Sequence, residues 1–174
     1  MTASCAEQIE IVDEQGRVIG RALRSECHGN PALIHRTVHV LVFNTAGELL
    51  LQKRGEDKDI QPGKWDTSVG GHLDIGEDYE EAAYREMGEE VGIRNTPLVP
   101  LYAYPMRNTI ESEDVRTYRC TYDGPITPDP GEISEARFWT TKEIEGALGR
   151  GCFTPNFEEE LARYKDRRRE DRQV

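Results

Sequence analysis

Residues Gly71–Ile93 read GHLDIGEDYEEAAYREMGEEVGI, and this stretch decides the fold of the chain. A helix is predicted from about residue 78 to residue 91, ending at Gly92, a residue type favoured at helix C-termini. Within it Glu86, Glu89 and Glu90 stand at positions i, i+3 and i+4. A helix with 3.6 residues per turn projects these three side chains from one face. The sequence therefore predicts a cluster of carboxylates on one helix surface.

Such a cluster needs compensation, because like charges at this spacing destabilise a bare helix by a few tenths of a kcal/mol per pair. A hard divalent cation supplies it, since Mg²⁺ and Mn²⁺ prefer carboxylate and water oxygens and also bridge phosphate oxygens. The competing interpretation is a solvated acidic helix face, which three glutamates alone would favour. The spacing of the surrounding residues decides between the two interpretations.

The rest of the helix is consistent with a site on one face and packing on another. Arg85 can pair with Glu81 or Glu89 at a distance of four residues and orient a carboxylate. A separate stripe of side chains suited to packing recurs every fourth residue. Its members are Tyr79, Ala83, Met87 and Val91.

The spacing over the whole stretch is specific. Its fixed positions are Gly71, five residues, Glu77, seven residues, Arg85-Glu86-Met87, one residue, Glu89-Glu90, one residue, and Gly92-Ile93. The stretch resembles the Nudix box at every defining position. The resemblance implies an α/β (α+β) fold, the α/β/α sandwich with a mixed sheet. It also implies that Glu86, Glu89 and Glu90 bind Mg²⁺ or Mn²⁺, with the carbonyl of Gly71 contributing.

The same resemblance implies that a metal-activated water attacks a phosphorus atom of a diphosphate. The general base differs among Nudix subfamilies. Glu89 is one candidate, and Glu132 or Glu135 in PGEISEARFW is another, because that segment resembles the place where many Nudix enzymes carry an extra carboxylate. The alternative for Glu132 and Glu135 is a solvated loop ahead of a strand.

A second, narrower resemblance involves residues outside the box. The chain resembles the Nudix-fold isopentenyl-diphosphate isomerases, which implies that His28, His35 and His72 hold a second metal together with downstream acids. It also implies that Arg54 and Lys58 bind the substrate diphosphate. The residues that carry it are His28, His35, Arg54, Lys58, Pro62-Gly63, Trp65, Gly71-His72 and Phe153-Thr154-Pro155.

One position departs from the isomerase pattern. Those enzymes carry a catalytic cysteine two residues before the histidine of the Gly-His pair, and this chain has Gly70 there. Cys27 does not align with that position, and protonation of a double bond needs an acid. We therefore predict a pyrophosphohydrolase, with an isomerase-like enzyme or a non-catalytic diphosphate-binding module as alternatives. The intact Glu86, Glu89 and Glu90 disfavour the binding module.

The length of 174 residues predicts one domain spanning residues 1–174. Hydrophobic residues make up 36% and charged residues 32%, which suits a globular protein. We expect an N-terminal hairpin at about residues 8–24 and a C-terminal helix at about residues 155–172. The other predicted strands are Thr37–Phe43, Glu48–Lys53, Leu98–Tyr104, Val115–Tyr122 and Ala136–Trp139, the first two forming a hairpin.

The charge balance limits the partners. With 22 Lys and Arg against 33 Asp and Glu, the net charge of −11 disfavours duplex nucleic acid. The N-terminal segment lacks the basic start and apolar stretch of a secretion signal, and no apolar run approaches the length of a membrane span. Scattered Cys5, Cys27, Cys120 and Cys152 indicate neither a zinc site nor disulfides and fit a cytoplasmic location. The expected substrate is a small-molecule diphosphate, by default a nucleoside diphosphate derivative, and a homodimer is compatible with the sequence.

Overall fold

The computed structural model describes residues 7–172, which form one mixed sheet with helices on both faces. This architecture confirms the predicted fold class. The elements are β1 Gln8–Val12, β2 Val18–Leu23, α1 Arg24–Cys27, β3 Ile34–Phe43, β4 Leu49–Arg54, β5 Trp65–Asp66, β6 Val69–His72, α2 Tyr79–Val91, β7 Val99–Arg107, β8 Ser112–Thr121, β9 Ile133–Trp139, α3 Thr141–Ala147 and α4 Pro155–Glu170.

Strand β3 is the central strand of the sheet. It runs parallel to β8 along its whole length, from Ile34 opposite Ser112 to Phe43 opposite Thr121. Its other edge pairs antiparallel with β1, then with β6, and finally with β4. The run of β-branched and aromatic residues in β3 suits such a strand, buried on both faces.

The predicted hairpin between β3 and β4 pairs at a single position, Phe43 opposite Leu49. The reason is competition for one edge, because β6 occupies the same edge of β3 from Thr37 to Val40. Strand β4 instead pairs with β9 along its length and with the short strand β5. Side-chain hydrogen bonds link β4 to Ser68, the residue before β6, from Gln52 Nε2 to the Ser68 carbonyl at 3.3 Å and from the Ser68 hydroxyl to the Leu50 carbonyl at 2.5 Å.

Alternation along β3 divides the core between two layers. Val38, Val40 and Val42 pack against the buried side of α2, which includes Ala83 and Met87. Leu41 points to the opposite face, where the core includes residues of α4. Helix α2 therefore covers one face of the sheet and α4 the other.

Local sequence signals define both ends of α2. The Asp78 side chain accepts a hydrogen bond from the Glu81 amide at 2.9 Å, and the Glu81 carboxylate accepts one from the Asp78 amide at 3.1 Å. This reciprocal capping satisfies amide groups that have no partner inside the helix. At the other end, Gly92 adopts a φ of 72°, the left-handed conformation that glycine tolerates best.

Cys27, Cys120 and Cys152 are free thiols, while Cys5 lies outside the described residues. Among residues 7–172, no helix combines the length and the apolar character needed to cross a membrane.

Candidate active site

The carboxylates of α2 face the backbone of β6. A Cβ atom placed on Gly71 would collide with the carboxyl group of Glu86, so a side chain at this position would displace that carboxylate. Glu89 lies further out and is 58% exposed. Glu90 points inward, where its Oε2 accepts hydrogen bonds from the Gln52 side chain at 2.9 Å and the Gly70 amide at 3.1 Å. The carboxylate site, defined here as Glu86, Glu89, Glu90 and Gly71, therefore lies between α2, β4 and β6.

Arg85 organises this site. Its guanidinium group donates to Glu86 at 2.8 Å, to Glu89 at 3.2 Å and to Glu77 at 2.8 Å. It also donates to the carbonyl of His72 at 2.9 Å. One cation thus orients two carboxylates of the site and ties α2 to the end of β6. The ion pairs raise the pKa of Arg85 further above its ordinary value.

Contacts with the protein compensate only part of the cost of burying the two inner carboxylates. Burial raises the pKa of Glu86 to about 7, although Arg85 opposes the shift. Burial, followed by the charge of Glu86, raises the pKa of Glu90 to about 8. Since both carboxylates lie in one site and a desolvated charge is costly without a partner, the arrangement favours a bound cation. The chemistry of this ligand set fits Mg²⁺ or Mn²⁺.

The acids near β9 lie at the border of this site. Glu132 is exposed and forms an ion pair with Lys58, and its charge contributes to the raised pKa of Glu90. Glu135 is exposed on β9 opposite Lys53. Glu132 therefore lies near the carboxylate site, and Lys58 is paired with Glu132.

Sheet register assembles a second cluster on the opposite face of β3. His35 lies opposite Glu113 of β8, while Thr37, two residues further along the same face, lies opposite His72 of β6. The ring centroids of His35 and His72 are 4.9 Å apart. His28 follows α1 and approaches within 5.8 Å of the His72 ring. The structure therefore brings His28, His35 and His72 together.

Two buried acids complete this histidine site, defined here as His28, His35, His72, Glu111 and Glu113. Ligand atoms of His35, His72 and Glu113 lie within 4.8 Å of one another. His28 Nε2 is 3.6 Å from Glu111. Nε2 of the fully buried His35 is 3.3 Å from Glu113 but makes no properly oriented hydrogen bond. A buried nitrogen without a partner, beside an imidazole and a carboxylate, fits a divalent metal.

The charges of this cluster favour such an ion. Burial would raise the pKa of Glu113, but His35 and His72 lower it well below its usual range, so Glu113 is ionised. Burial lowers the pKa values of His28 and His72, which keeps both imidazoles available as neutral ligands. Burial raises the pKa of Glu111 to about 7.

One cavity of about 300 Å³ connects the two sites. Its lining includes Glu90 and Gly71 on one side and His72 and Glu113 on the other. Arg54 also lines it, held by an ion pair with Asp66 at 3.6 Å and by a hydrogen bond to the Ile60 carbonyl at 2.9 Å. The cavity is large enough for a small-molecule phosphate group.

Glycine occupies the position that carries the catalytic thiol in the isomerase pattern. Gly70 lines the cavity, and a Cβ there would lie 3.3 Å from Cδ2 of His39. Cys27 is fully buried against Ile9 and Ile11, and burial raises the pKa of its thiol to about 11. A buried thiol of this kind is a poor proton donor and a poor nucleophile.

Several residues in or beside the cavity were not among the site residues predicted from the sequence. Glu111 and Glu113 have a visible signal, because two acids separated by one residue share a face at the start of a strand. Gln52 and His39 have no such signal in the sequence, since the contacts of a polar residue within an apolar strand depend on which strands lie beside it.

Comparison with known proteins agrees with this geometry. A family model, that of the NUDIX domain, matches residues 33–157. An uncharacterized Nudix hydrolase of Yersinia pestis is 34% identical over 97% of this chain and 91% of its own length. The chain therefore belongs to the Nudix hydrolase family, which confirms the family predicted from the box.

Two further relatives refine the position of the chain within that family. An isopentenyl-diphosphate Delta-isomerase of Nocardia farcinica is 33% identical over 84% of this chain and 88% of the relative. The crystal structure of DR0079 from Deinococcus radiodurans superposes with a TM-score of 0.77 at 27% identity, covering 90% of this chain and 98% of that one. The chain is thus similar both to Nudix hydrolases and to an isomerase.

Proposed function

We propose that this protein is a metal-dependent pyrophosphohydrolase that cleaves the diphosphate linkage of a nucleoside diphosphate derivative or another small organic diphosphate. The observation that carries the proposal is the pair of desolvated carboxylates Glu86 and Glu90, of which Glu86 lies against Gly71 and Glu90 against the Gly70 amide. Without a cation these groups destabilise the site, whereas with one they form an anion-binding centre. Gly71 would contribute its carbonyl as a further ligand.

Bound Mg²⁺ or Mn²⁺ would neutralise the diphosphate and activate the attacking water. The residues of the chain position the reactants. Arg85 keeps Glu86 and Glu89 in place, and Arg54 provides a cation in the cavity for the substrate phosphate. Lys58 is proposed to contact phosphate from the border of the site, where Glu132 holds it.

Three carboxylates remain candidates for the general base. Glu89 accepts a hydrogen bond from Arg85 and is exposed to solvent, so an attacking water has access to it. Glu132 lies near Glu90, and Glu135 follows it on β9. Each could accept the proton of the attacking water.

The histidine site is proposed as a second metal site. The partnerless Nε2 of His35 supports this role, since a buried nitrogen beside an ionised carboxylate needs a cation or a donor. A metal here would neutralise Glu113 and add positive charge to a cavity that also contains Glu90.

A panel of nucleoside diphosphate derivatives and other organic diphosphates, assayed for phosphate-bearing products with Mg²⁺ or Mn²⁺, tests the proposal. We expect hydrolysis of at least one compound and its loss in excess chelator, because the acidic site repels an anionic substrate until a cation is bound. Full turnover in the chelator would contradict the metal dependence. An intact protein that cleaves nothing would contradict the hydrolase proposal.

Isomerisation of isopentenyl diphosphate is the second candidate. The assembled histidine site and the 33% identity to an isomerase favour it. Gly70 argues against it, because general acid catalysis contributes about a hundred- to ten-thousandfold and the thiol is missing. We expect no interconversion of isopentenyl and dimethylallyl diphosphate, measured by deuterium incorporation from heavy water. Robust incorporation would establish the isomerase and show that another residue donates the proton, with Glu132 the first to test.

A further inference from the structure

Glu160 is a fully buried carboxylate on α4 with three hydrogen-bond donors around it. Its Oε1 accepts from the Tyr102 hydroxyl at 2.5 Å, and its Oε2 accepts from the Tyr104 hydroxyl at 2.5 Å. The third partner is Nδ1 of His39, 2.8 Å from Oε2. A carboxyl group surrounded by donors is stabilised in its ionised form.

This buried negative charge requires a positive partner. Among residues 7–172, His39 is the only cationic side chain within ion-pair distance of Glu160. Arg163 lies over the Tyr104 ring, but its ion pair is with Glu159. His39 is therefore the counterion of Glu160, and an imidazolium carries a proton on both ring nitrogens. Burial alone lowers the pKa of His39, but the hydrogen bond and charge of Glu160 outweigh it and raise the pKa to about 9.

The second ring nitrogen of His39 lies on the cavity side. Nδ1 is bonded to Glu160, while the opposite edge of the ring lies beside Gly70, its cross-strand partner in β6. A Cβ at Gly70 would lie 3.3 Å from Cδ2 and 3.7 Å from Nε2 of this ring. Glycine at this position leaves the edge uncovered. His39, Gly70 and Glu90 line the same cavity.

We propose that His39 is a phosphate-binding residue, which donates a hydrogen bond from Nε2–H to a phosphate oxygen of the substrate, and that Glu160 is the positioning residue that holds it in the charged form. The proposal rests on the diphosphate substrate proposed above. Its class of ligand is a phosphate or diphosphate group that lies in the cavity between the carboxylate site and His39. The carboxylates would hold this phosphate group through metal ions, and the fixed cation of His39 would contact the same group directly.

Binding of methylenediphosphonate, whose carbon bridge cannot be hydrolysed, tests this inference by calorimetry in the presence of Mg²⁺. We expect the wild-type protein to bind the probe and His39→Gln to bind it about ten- to a hundredfold more weakly, because a charge-assisted hydrogen bond is lost. Glu160→Gln should weaken binding to a similar extent without touching the ligand, since the amide no longer stabilises the imidazolium.

Glu159→Gln, at the exposed acid next to Glu160 on α4, is the matched control. It removes one negative charge from the same helix but leaves Glu160 and its hydrogen-bond partners in place, so binding should stay within about twofold of wild type. A second measurement is the ¹⁵N spectrum of the His39 ring at pH 7, which should show both nitrogens protonated in the wild-type protein. It needs no variant, and it decides the charge state even if Glu160→Gln fails to fold.

Three results would overturn the inference: no probe binding by wild type, wild-type affinity in His39→Gln, or a neutral His39 ring. Equal effects of Glu160→Gln and Glu159→Gln on binding would contradict the positioning role of Glu160. Failure of the hydrolase proposal looks different. In that case the substrate panel yields no product, while methylenediphosphonate still binds wild type and is weakened by His39→Gln.

Discussion

The carboxylate site and the histidine site are built in opposite ways. Glu86, Glu89 and Glu90 come from less than two turns of one helix, and their common face follows from helix geometry. The histidine site draws on α1, β3, β6 and β8, whose side chains meet only because β3 pairs with β6 on one edge and with β8 on the other. The first site is local in sequence and the second is a product of sheet register.

Because they are built differently, the two sites respond differently to substitutions. A local site depends on its own helix and on the backbone it approaches, so single substitutions affect its ligands without altering the sheet. A site assembled by register depends on every strand that contributes, because a shift of one residue turns a side chain to the other face. The two sites also differ in ligand chemistry, because the carboxylate site offers only oxygen atoms and the histidine site offers nitrogen and oxygen atoms. This difference makes the two sites separable by experiment.

The largest effect is expected at the carboxylate site. Glu89→Gln and Glu90→Gln should each lower kcat by at least about a hundredfold, because these side chains are proposed to act on the metal and the water rather than in packing. Glu80→Gln, an exposed acid on the same helix, is the control and should stay within about twofold. Steady-state kinetics with circular dichroism as the check of folding measure this. Near-normal rates in both site variants would refute the assignment.

The next effect separates the two sites by metal preference. His35→Gln should weaken Zn²⁺ binding at least about tenfold while leaving Mg²⁺ affinity within about twofold, because imidazole ligands suit Zn²⁺ and oxygen ligands suit Mg²⁺. Glu86→Gln should show the reverse pattern. Calorimetric titration of each variant with each ion provides the measurement. Parallel losses of both ions in both variants would mean that the clusters act as one site.

The smallest effect is a pH dependence of stability in the metal-free protein. Glu90 has a pKa raised to about 8 from an ordinary 4.5, so the folded state keeps a proton that the unfolded state loses. The free energy of unfolding should therefore fall as the pH rises from about 5 to 8. Glu90→Gln removes this ionisation and should make the decline shallower, whereas Glu89→Gln, at an exposed position, should not.

Urea unfolding at several pH values measures the decline, and saturating Mg²⁺ should reduce it by binding the ionised carboxylates. The pKa of Glu86, raised to about 7, acts in the same direction. An identical pH slope in wild type and Glu90→Gln would show that Glu90 ionises freely in the folded protein.

The local elements of this protein could be predicted from its sequence alone. The helix predicted from about residue 78 to 91 is α2, Tyr79–Val91, because its cap residues and its packing stripe are all encoded within one stretch. The fold class and the Nudix family followed from the same residues. The predicted strands lie within about three residues of the observed ones at their ends, since alternation and β-branched residues mark a strand before its partner is known.

The pairing of the strands could not be predicted from the sequence and follows from the folded chain. The sequence predicted β3 and β4 as a hairpin, but β6 occupies the edge of β3 that a full hairpin would use, and β6 itself, with its two glycines, had no strand signal. Register places His39 beside Gly70, and the packing of α4 on the sheet brings Glu160, far along the chain, into hydrogen-bond contact with the His39 ring. Hydrogen bonds between distant strands and helices leave no periodic pattern in the sequence, so these contacts appear only when the chain is folded.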